Sequence, residues 1–283
     1  SYAAADLFRY AKSRGWHTVL GQIDPGPVEE EIVRKEHTRI PGYESDWLPA
    51  PSEYWQSWRE ECELADRIVV NSTWSRNGLQ ASGIDAKKIT EVPLAYEPPR
   101  DALQFVRTYP PSFSRKRPLR VLFLGQVIIR KGIVPLLEAA KLLRDEPIEF
   151  WLVGPVGVAT TNGPFGKNVH LTGSVSRSVA GRYYQKADVF VFPTFSDGFG
   201  LTQLEAQAWR LPIIASSFCG NVVRHEEVGL LLDAVTPKAI ANALLACLNN
   251  PSQLQAFSKG AFQSWPGGWN NLEKSLDSLT HAF

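Results

Sequence analysis

The sequence predicts an α/β fold in which a parallel sheet is covered by helices on both faces. Three observations predict it. From residue 119 onward, short apolar runs of strand length alternate with segments of helical length and period. The runs are short and mostly apolar, and 189–192 (Val-Phe-Val-Phe) is apolar throughout, which is the pattern of a strand buried on both faces. The chain of 283 residues is long enough for two domains of ordinary size, and prolines crowd the stretch between them.

Residues 4–14 place Leu7, Tyr10 and Ala11 at helical spacing, and the chain opens at Ser1-Tyr2-Ala3 inside the same helix. Gly15 suits its C-cap. Residues 18–22 read as a short strand, stopped by the breakers Asp24-Pro25-Gly26-Pro27. A charged helix is expected over 28–37, then a Pro- and Trp-rich stretch to about residue 52, then a Trp- and Glu-rich helix over 53–65. Ile68-Val69-Val70 is a buried strand, and Asn71-Ser72-Thr73 supplies capping residues for a strand-to-helix turn. These elements make a first domain over 1–95. Prolines at 93, 98, 99, 110, 111 and 118 then prevent regular structure over much of their span, and residues 96–118 are the expected linker. The second domain, 119–250, places strands at 119–124, 148–153, 169–171, 189–192, 213–215 and 230–232. Its helices are expected at 132–143, 176–186, 201–209 and 237–248. Residues 251–283 form a helical tail, kinked at Trp265-Pro266-Gly267-Gly268-Trp269.

The composition bounds the function. Hydrophobic residues make up 44% and charged residues 21%, as in soluble globular proteins. A net charge of +1 argues against a dedicated nucleic-acid binder, so no nucleic-acid partner is expected. No apolar run reaches the length of a membrane span and no signal peptide is visible, so a cytoplasmic location is expected. A peripheral membrane contact stays open. Cys62, Cys219 and Cys247 are odd in number and far apart, which reads as reduced thiols and not as a disulfide framework. With no Asp-x-Asp motif and no His/Cys cluster of ligand spacing, neither a metal nor a cofactor is implied.

Two stretches carry candidate chemistry. In Asp197-Gly198-Phe199-Gly200-Leu201-Thr202-Gln203-Leu204-Glu205, a loop follows the strand at 189–192 and opens a helix. Ligands of open parallel sheets bind beyond the C-terminal strand ends. Gly198 and Gly200 let backbone approach a ligand, and the helix start near Leu201 aims N–H groups and a positive dipole end at it, which suits a diphosphate. Asp197 and Glu205 add two carboxylates, one for a sugar and one for a ribose. The same residues also suit a glycine-rich turn with an Asp favouring the helix dipole. The second stretch is Gly125-Gln126, after the strand at 119–124, followed by Arg130-Lys131-Gly132. Lys131 near a helix N-terminus is unfavourable for the dipole and wants an external anion such as phosphate; a solvated basic turn is the alternative.

Together these stretches resemble the retaining GT-B glycosyltransferases of the glycosyltransferase family 4 type. That family carries a Glu or Asp, seven residues, then a Glu, matched by Asp197 and Glu205. It carries strand–Gly–loop–Lys-Gly, matched by Gly125 and Lys131-Gly132. Ala187-Asp188-Val189-Phe190-Val191-Phe192-Pro193 matches its Ala-Asp strand, and Ala208-Trp209-Arg210-Leu211-Pro212-Ile213-Ile214-Ala215 follows the second carboxylate as in the family. Ala65-Asp66-Arg67-Ile68-Val69-Val70-Asn71-Ser72 resembles the end of its acceptor domain. The resemblance runs from about residue 60 to the end.

The resemblance implies two Rossmann-like domains facing a cleft, the first incomplete, with the tail crossing back to the first domain. It implies a hexosyl transfer, retaining and metal-independent, from a UDP- or GDP-linked sugar to a sugar, lipid or small-molecule acceptor. Lys131 would neutralise the diphosphate beside the Gly125 backbone and Gln126, with Arg130 assisting. Glu205 would bond the ribose and Asp197 the sugar. The backbone of Phe199, Gly200, Leu201 and Thr202 would cradle the diphosphate or sugar, with Gly198 in the same donor site, while residues around Gly173-Ser174-Val175 would border the base. Gln126 stands where the family often has Arg or Ser, leaving less charge, and Asp197 is shorter than the usual Glu. The family opens with further βα units and a His near the acceptor. About 95 residues precede the linker, so the acceptor domain reads as truncated, and His17 and His37 read as ordinary histidines. Trp55, Trp58 and Trp74 could stack on sugars, though packing is the commoner role. A non-catalytic nucleotide-sugar-binding module, or another GT-B enzyme such as a sugar-nucleotide epimerase, are the rival readings.

Overall fold

The computed structural model describes residues 4–40, 43–44, 47–160, 165–263 and 268–280. The expected helix start at Ser1-Tyr2-Ala3 and most of the kink, Trp265-Pro266-Gly267, lie outside these residues. The first domain holds α1 (Ala5–Ser13), β1 (Val19–Gln22), α2 (Pro27–Arg39), β2 (Tyr43–Glu44), α3 (Ser52–Leu64), β3 (Arg67–Val70), α4 (Thr73–Ala81) and β4 (Ile89–Glu91). β1, β3 and β4 pair in parallel, in that order. Their inward residues Leu20, Ile68, Val70 and Ile89 meet Trp58, Cys62 and Leu79 in one core. Trp58 is fully buried and donates its indole N–H to Gln22 Oε1 at 3.1 Å. That bond satisfies the one polar atom an indole buries. Ser72 caps α4 by accepting the Ser75 N–H.

Of the three residues at helical spacing, Ala11 is buried, whereas Leu7 and Tyr10 are exposed. The face turned to the core is Ala4, Phe8 and Ala11, spaced i, i+4, i+7, because α1 packs along α3.

The chain then runs through α5 (Arg100–Gln104) into the second domain: β5 (Leu119–Leu124), α6 (Ile133–Leu142), β6 (Ile148–Val153), β7 (Ala159–Thr160), β8 (Val169–Gly173), α7 (Arg177–Lys186), β9 (Val189–Phe192), α8 (Leu201–Ala208), β10 (Ile213–Ala215), β11 (Gly229–Leu231) and α9 (Pro237–Asn249). The sheet order is β11-β10-β9-β5-β6-β8, parallel throughout. Counted from β5 this is the 3-2-1-4-5-6 order of dinucleotide-binding folds, and it reverses between β5 and β9. Alternation decides the layers. Val121, Phe123, Val189, Val191 and Ile214 face one core, beneath α6 and α9. Leu122, Phe190, Phe192, Ile213 and Ala215 face the other, beneath α7 and α8. Burial on both faces is why β9 and β10 are apolar at every position. The pairing of β2 with β7, antiparallel at Tyr43 and Thr160, bridges the two domains.

The linker is fastened to the second domain. It carries α5, which its prolines allow because Pro99 precedes the first turn, where no N–H is needed. The Arg107 guanidinium is buried among carbonyls at the ends of α7 and α8: it donates to Tyr184 O at 2.7 Å, Trp209 O at 3.0 Å, Arg210 O at 3.2 Å and Ala187 O. A cation there meets both orphan carbonyls and the negative dipole ends. Arg117 forks onto Asp188 at 2.6 and 2.7 Å. The expected tail over 251–283 divides differently. Its first helix, α10 (Pro251–Gln263), belongs to the second domain, since Leu254 and Ala261 bury in the two cores. Only beyond it, before α11 (Trp269–Thr280), does Gly268 pass the linker residue Glu97.

Replacing Arg107 by Ala leaves several buried carbonyls unpaired. The expected loss is roughly 3 kcal/mol of stability, read as a lowered urea midpoint; a midpoint equal to wild type would show that the carbonyls find other partners.

Candidate functional site

The strand-order reversal decides where the site forms. The loops that leave β5 and β9 lie side by side there, and their backbones touch. Gly132 has φ of +70°, and a Cβ on it would collide with the Pro193 carbonyl oxygen. Phe195 N–H donates to Arg130 O at 2.9 Å across the same seam. Lys131 closes a short 3-10 turn over Ile129–Lys131, so its side chain leaves the seam directly opposite Asp197.

The two form an ion pair, Lys131 Nζ on Asp197 Oδ2, both largely buried. Burial pushes the Lys131 ammonium down to about 7, the Arg130 guanidinium adds to the fall, and Glu29 opposes it. Asp197 also accepts the Phe199 N–H at 3.2 Å, so the carboxylate shapes its own loop. Gly200, in the left-handed region, starts α8, and no side chain caps that helix. Its first-turn residues Leu201 and Thr202 line a crevice of about 410 Å³ with Gly125, Gln126, Lys131, Asp197, Phe199 and Gly200. Ile23, Asn71 and Leu94 close it from the other side. The crevice thus joins a buried cation, an uncapped helix N-terminus and a carboxylate, the groups that an anion with an attached polyol requires.

Glu205 faces a different space. It lines a cavity of about 730 Å³ with Tyr96, Arg177, Tyr184 and Trp209. Its Oε2 accepts the Tyr184 hydroxyl at 2.8 Å, and burial pushes that phenol well above its ordinary range, Glu205 adding to it. Asp197 therefore lies on the entry loop of α8 and Glu205 one turn inside the helix, and they open on two different spaces.

The structure places several of the expected residues away from the crevice lining. Arg130 lies outside the crevice: it donates to Ser196 O at 3.0 Å and pairs with Glu29 of the first domain at 3.5 Å. Gly198 does not leave room for a ligand. A Cβ there would meet the Ile23 carbonyl, so the missing side chain serves the contact between domains. Gly173 ends β8 and accepts the Gly154 N–H, while Val175 packs against the α7–α8 core; neither lines the crevice or the Glu205 cavity. Sequence reasoning missed Glu29. Its Oε2 accepts the Ser196 hydroxyl at 2.8 Å, Ser196 Oγ accepts the Trp74 indole N–H at 3.0 Å, and burial raises the Glu29 pKa. Only its place in the first turn of α2, after Gly26-Pro27, hinted at a special role. Asn71, read as a cap, donates instead to Ile23 O at 2.9 Å. Trp58 packs, Trp74 spans the domain interface, and Trp55 lines a third cavity between the domains.

The three cysteines are free and buried, and burial pushes each thiol up to about 12, so they stay protonated and unreactive. Among the described residues no group of three or more His, Cys, Asp or Glu converges to hold a metal ion. No helix among them is long and apolar enough to cross a membrane.

Residues 118–250 match the family model described as Glycosyl transferases group 1. The chain is 29% identical over 260 residues to a D-inositol 3-phosphate glycosyltransferase of Kineococcus radiotolerans, covering 78% of this chain and 58% of that protein. It spans about half the length of the curated relatives it matches. Its backbone superposes on sucrose-phosphate synthase of Thermosynechococcus elongatus with a TM-score of 0.73 at 20% identity, covering 99% of this chain and 71% of that one. The Anabaena HepE protein, solved with UDP and glucose, gives 0.69 at 14% identity over 100% of this chain and 76% of its own. These likenesses show the two-domain GT-B fold.

The seam at Gly132 sets the site, so Gly132→Ala should cost roughly 3 kcal/mol through a clash at a left-handed position. Hydrogen exchange should quicken at residues 193–197 in the variant; protection equal to wild type there would show that the seam does not hold the loop.

Proposed function

We propose that this chain, whose residues 118–250 belong to the group 1 glycosyl transferases, binds a nucleotide-diphosphate sugar at the β5–β9 junction and transfers its sugar to an acceptor held against the first domain. The observation that carries the reading is the Lys131–Asp197 pair facing the uncapped start of α8. On donor binding, Lys131 exchanges Asp197 for the diphosphate, and the α8 N–H groups take further phosphate oxygens. Asp197, released, accepts hydroxyls of the sugar. Glu205, steadied by Tyr184, accepts the ribose hydroxyls across α8. Gln126 adds a neutral contact beside Gly125.

The transfer in this reading retains configuration and uses no metal. The bond from the anomeric carbon to the diphosphate oxygen breaks as the acceptor oxygen closes on the same face. The acceptor proton passes to the leaving diphosphate oxygen. Charge grows on that diphosphate in the transition state, so a fixed cation and helix amides lower the barrier.

Calorimetric titration with UDP, GDP and ADP tests the binding step. One diphosphate should bind preferentially, and Lys131→Ala and Glu205→Ala should each weaken it by about tenfold or more. Wild-type affinity in both variants would sink the assignment. NMR of the product's anomeric proton tests retention; an inverted product would remove the same-face step.

A pH dependence follows from the depressed Lys131 pKa of about 7. Below that value Lys131 is already charged. Above it, binding must draw a proton from the buffer onto Lys131, since the anion raises the pKa of the cation it binds. Affinity should therefore fall from pH 7 to pH 9 with net proton uptake, measured by calorimetry in buffers of different ionisation enthalpy. No uptake at pH 8 would show that Lys131 is fully charged in the free protein.

A further inference from the structure

A cavity of about 470 Å³ lies between the domains, beside the crevice. Its first-domain wall is aromatic: His37 stacks on Trp47 with ring centroids 4.8 Å apart, and Tyr54 and Trp55 continue the surface. Its second-domain wall is the turn at Ile128, Ile129 and Arg130. The two spaces share their boundary. Ile23 and Lys131 line the crevice, and their chain neighbours Asp24 and Arg130 line the cavity. The two spaces are therefore adjacent, separated by the Ile23–Asp24 and Arg130–Lys131 segments.

The charge of this cavity is one-sided. Asp24, Glu29 and Glu30 line it, and Arg130 is the one Lys or Arg among the described lining residues. Arg130 is already committed to Glu29 at 3.5 Å and to Ser196 O at 3.0 Å. Burial lowers the His37 pKa and so disfavours the charged imidazole. The carboxylates are held in place: Asp24 Oδ1 accepts the Gly26 N–H at 2.8 Å, and Glu30 Oε2 accepts the Ala50 N–H at 2.7 Å. A phosphate brought here would meet negative charge in a half-enclosed, low-dielectric space and find no unpaired cation among the described lining residues. A neutral polyol finds what it needs: flat aromatic faces for its C–H face and fixed carboxylates for its O–H donors.

We propose that this cavity seats the acceptor, and that the acceptor is an uncharged sugar or polyol. It discriminates against phosphorylated acceptors of the kind that the inositol-phosphate relative's name describes. The assignment of this pocket as an acceptor site rests on the donor reading; its preference for neutral over anionic polyols does not.

Tryptophan fluorescence titration tests it, with and without saturating UDP, using methyl α-glucopyranoside, myo-inositol and inositol 3-phosphate at fixed ionic strength. At least one neutral compound should give a saturable change, and inositol 3-phosphate should bind at least tenfold more weakly. Trp47→Ala should weaken the neutral compound at least fivefold, and Glu30→Gln should narrow the gap between neutral and anionic ligands. Equal or tighter binding of inositol 3-phosphate, or no saturable change with either neutral compound, overturns the proposal. If UDP binds calorimetrically in that case, the donor reading stands alone. If the neutral compounds bind and no diphosphate does, the pocket's selectivity stands and the donor reading falls.

Discussion

The contact of the Gly132 backbone with the Pro193 carbonyl is the constraint from which the site follows. Sheet order reverses between β5 and β9, so the two loops that leave them are neighbours with no helix between. Their backbones can meet only if one residue lacks a Cβ and accepts a left-handed conformation, and Gly132 does both. Where they meet, Lys131 and Asp197 face each other. Their pair is costly to bury, because desolvation of two ions consumes much of the attraction between them. A pair of this kind is easily exchanged for a ligand that supplies more charge. The same seam thus gives the crevice its shape and leaves its cation ready for an anion.

The loop over 194–198 answers to both domains. On one side it carries Asp197. On the other, Ser196 bonds Glu29 and Trp74, and Gly198 takes the Ile23 carbonyl against its backbone, while Ser72 donates to Gly198 O. Domain contact and site geometry are therefore one set of interactions. They also sort charge. Lys131 faces the crevice, whereas Glu29 and Arg130 neutralise one another at the boundary and leave the outer cavity acidic. An anionic leaving group and a neutral hydroxylated acceptor suit the two sides of such a boundary.

Much of this is legible in the amino-acid sequence. The α/β alternation, the parallel sheet, Gly125, Lys131 and the Asp197–Glu205 spacing are local properties: apolar runs, breakers and caps act over a few residues, and strands buried on both faces leave a largely apolar signature. The same locality explains the errors. Leu7 and Tyr10 fit a helical stripe as well as Phe8 does, and only packing against α3 chooses between them. Gly198 reads as a ligand-facing glycine because no sequence pattern names the Ile23 carbonyl, far upstream, that occupies its missing side chain.

What the order of residues settled alone was the set of elements and the chemical groups at their ends, since covalent neighbours and backbone sterics suffice for both. The fold decided which groups meet. It set Arg130 against Glu29, 101 positions away, and Glu205 against Tyr184. It left Gly173 and Val175 in the sheet and its core. These pairings cross long stretches of chain, and they form only when the burial of both sheet faces and the seam at Gly132 have fixed the path between them.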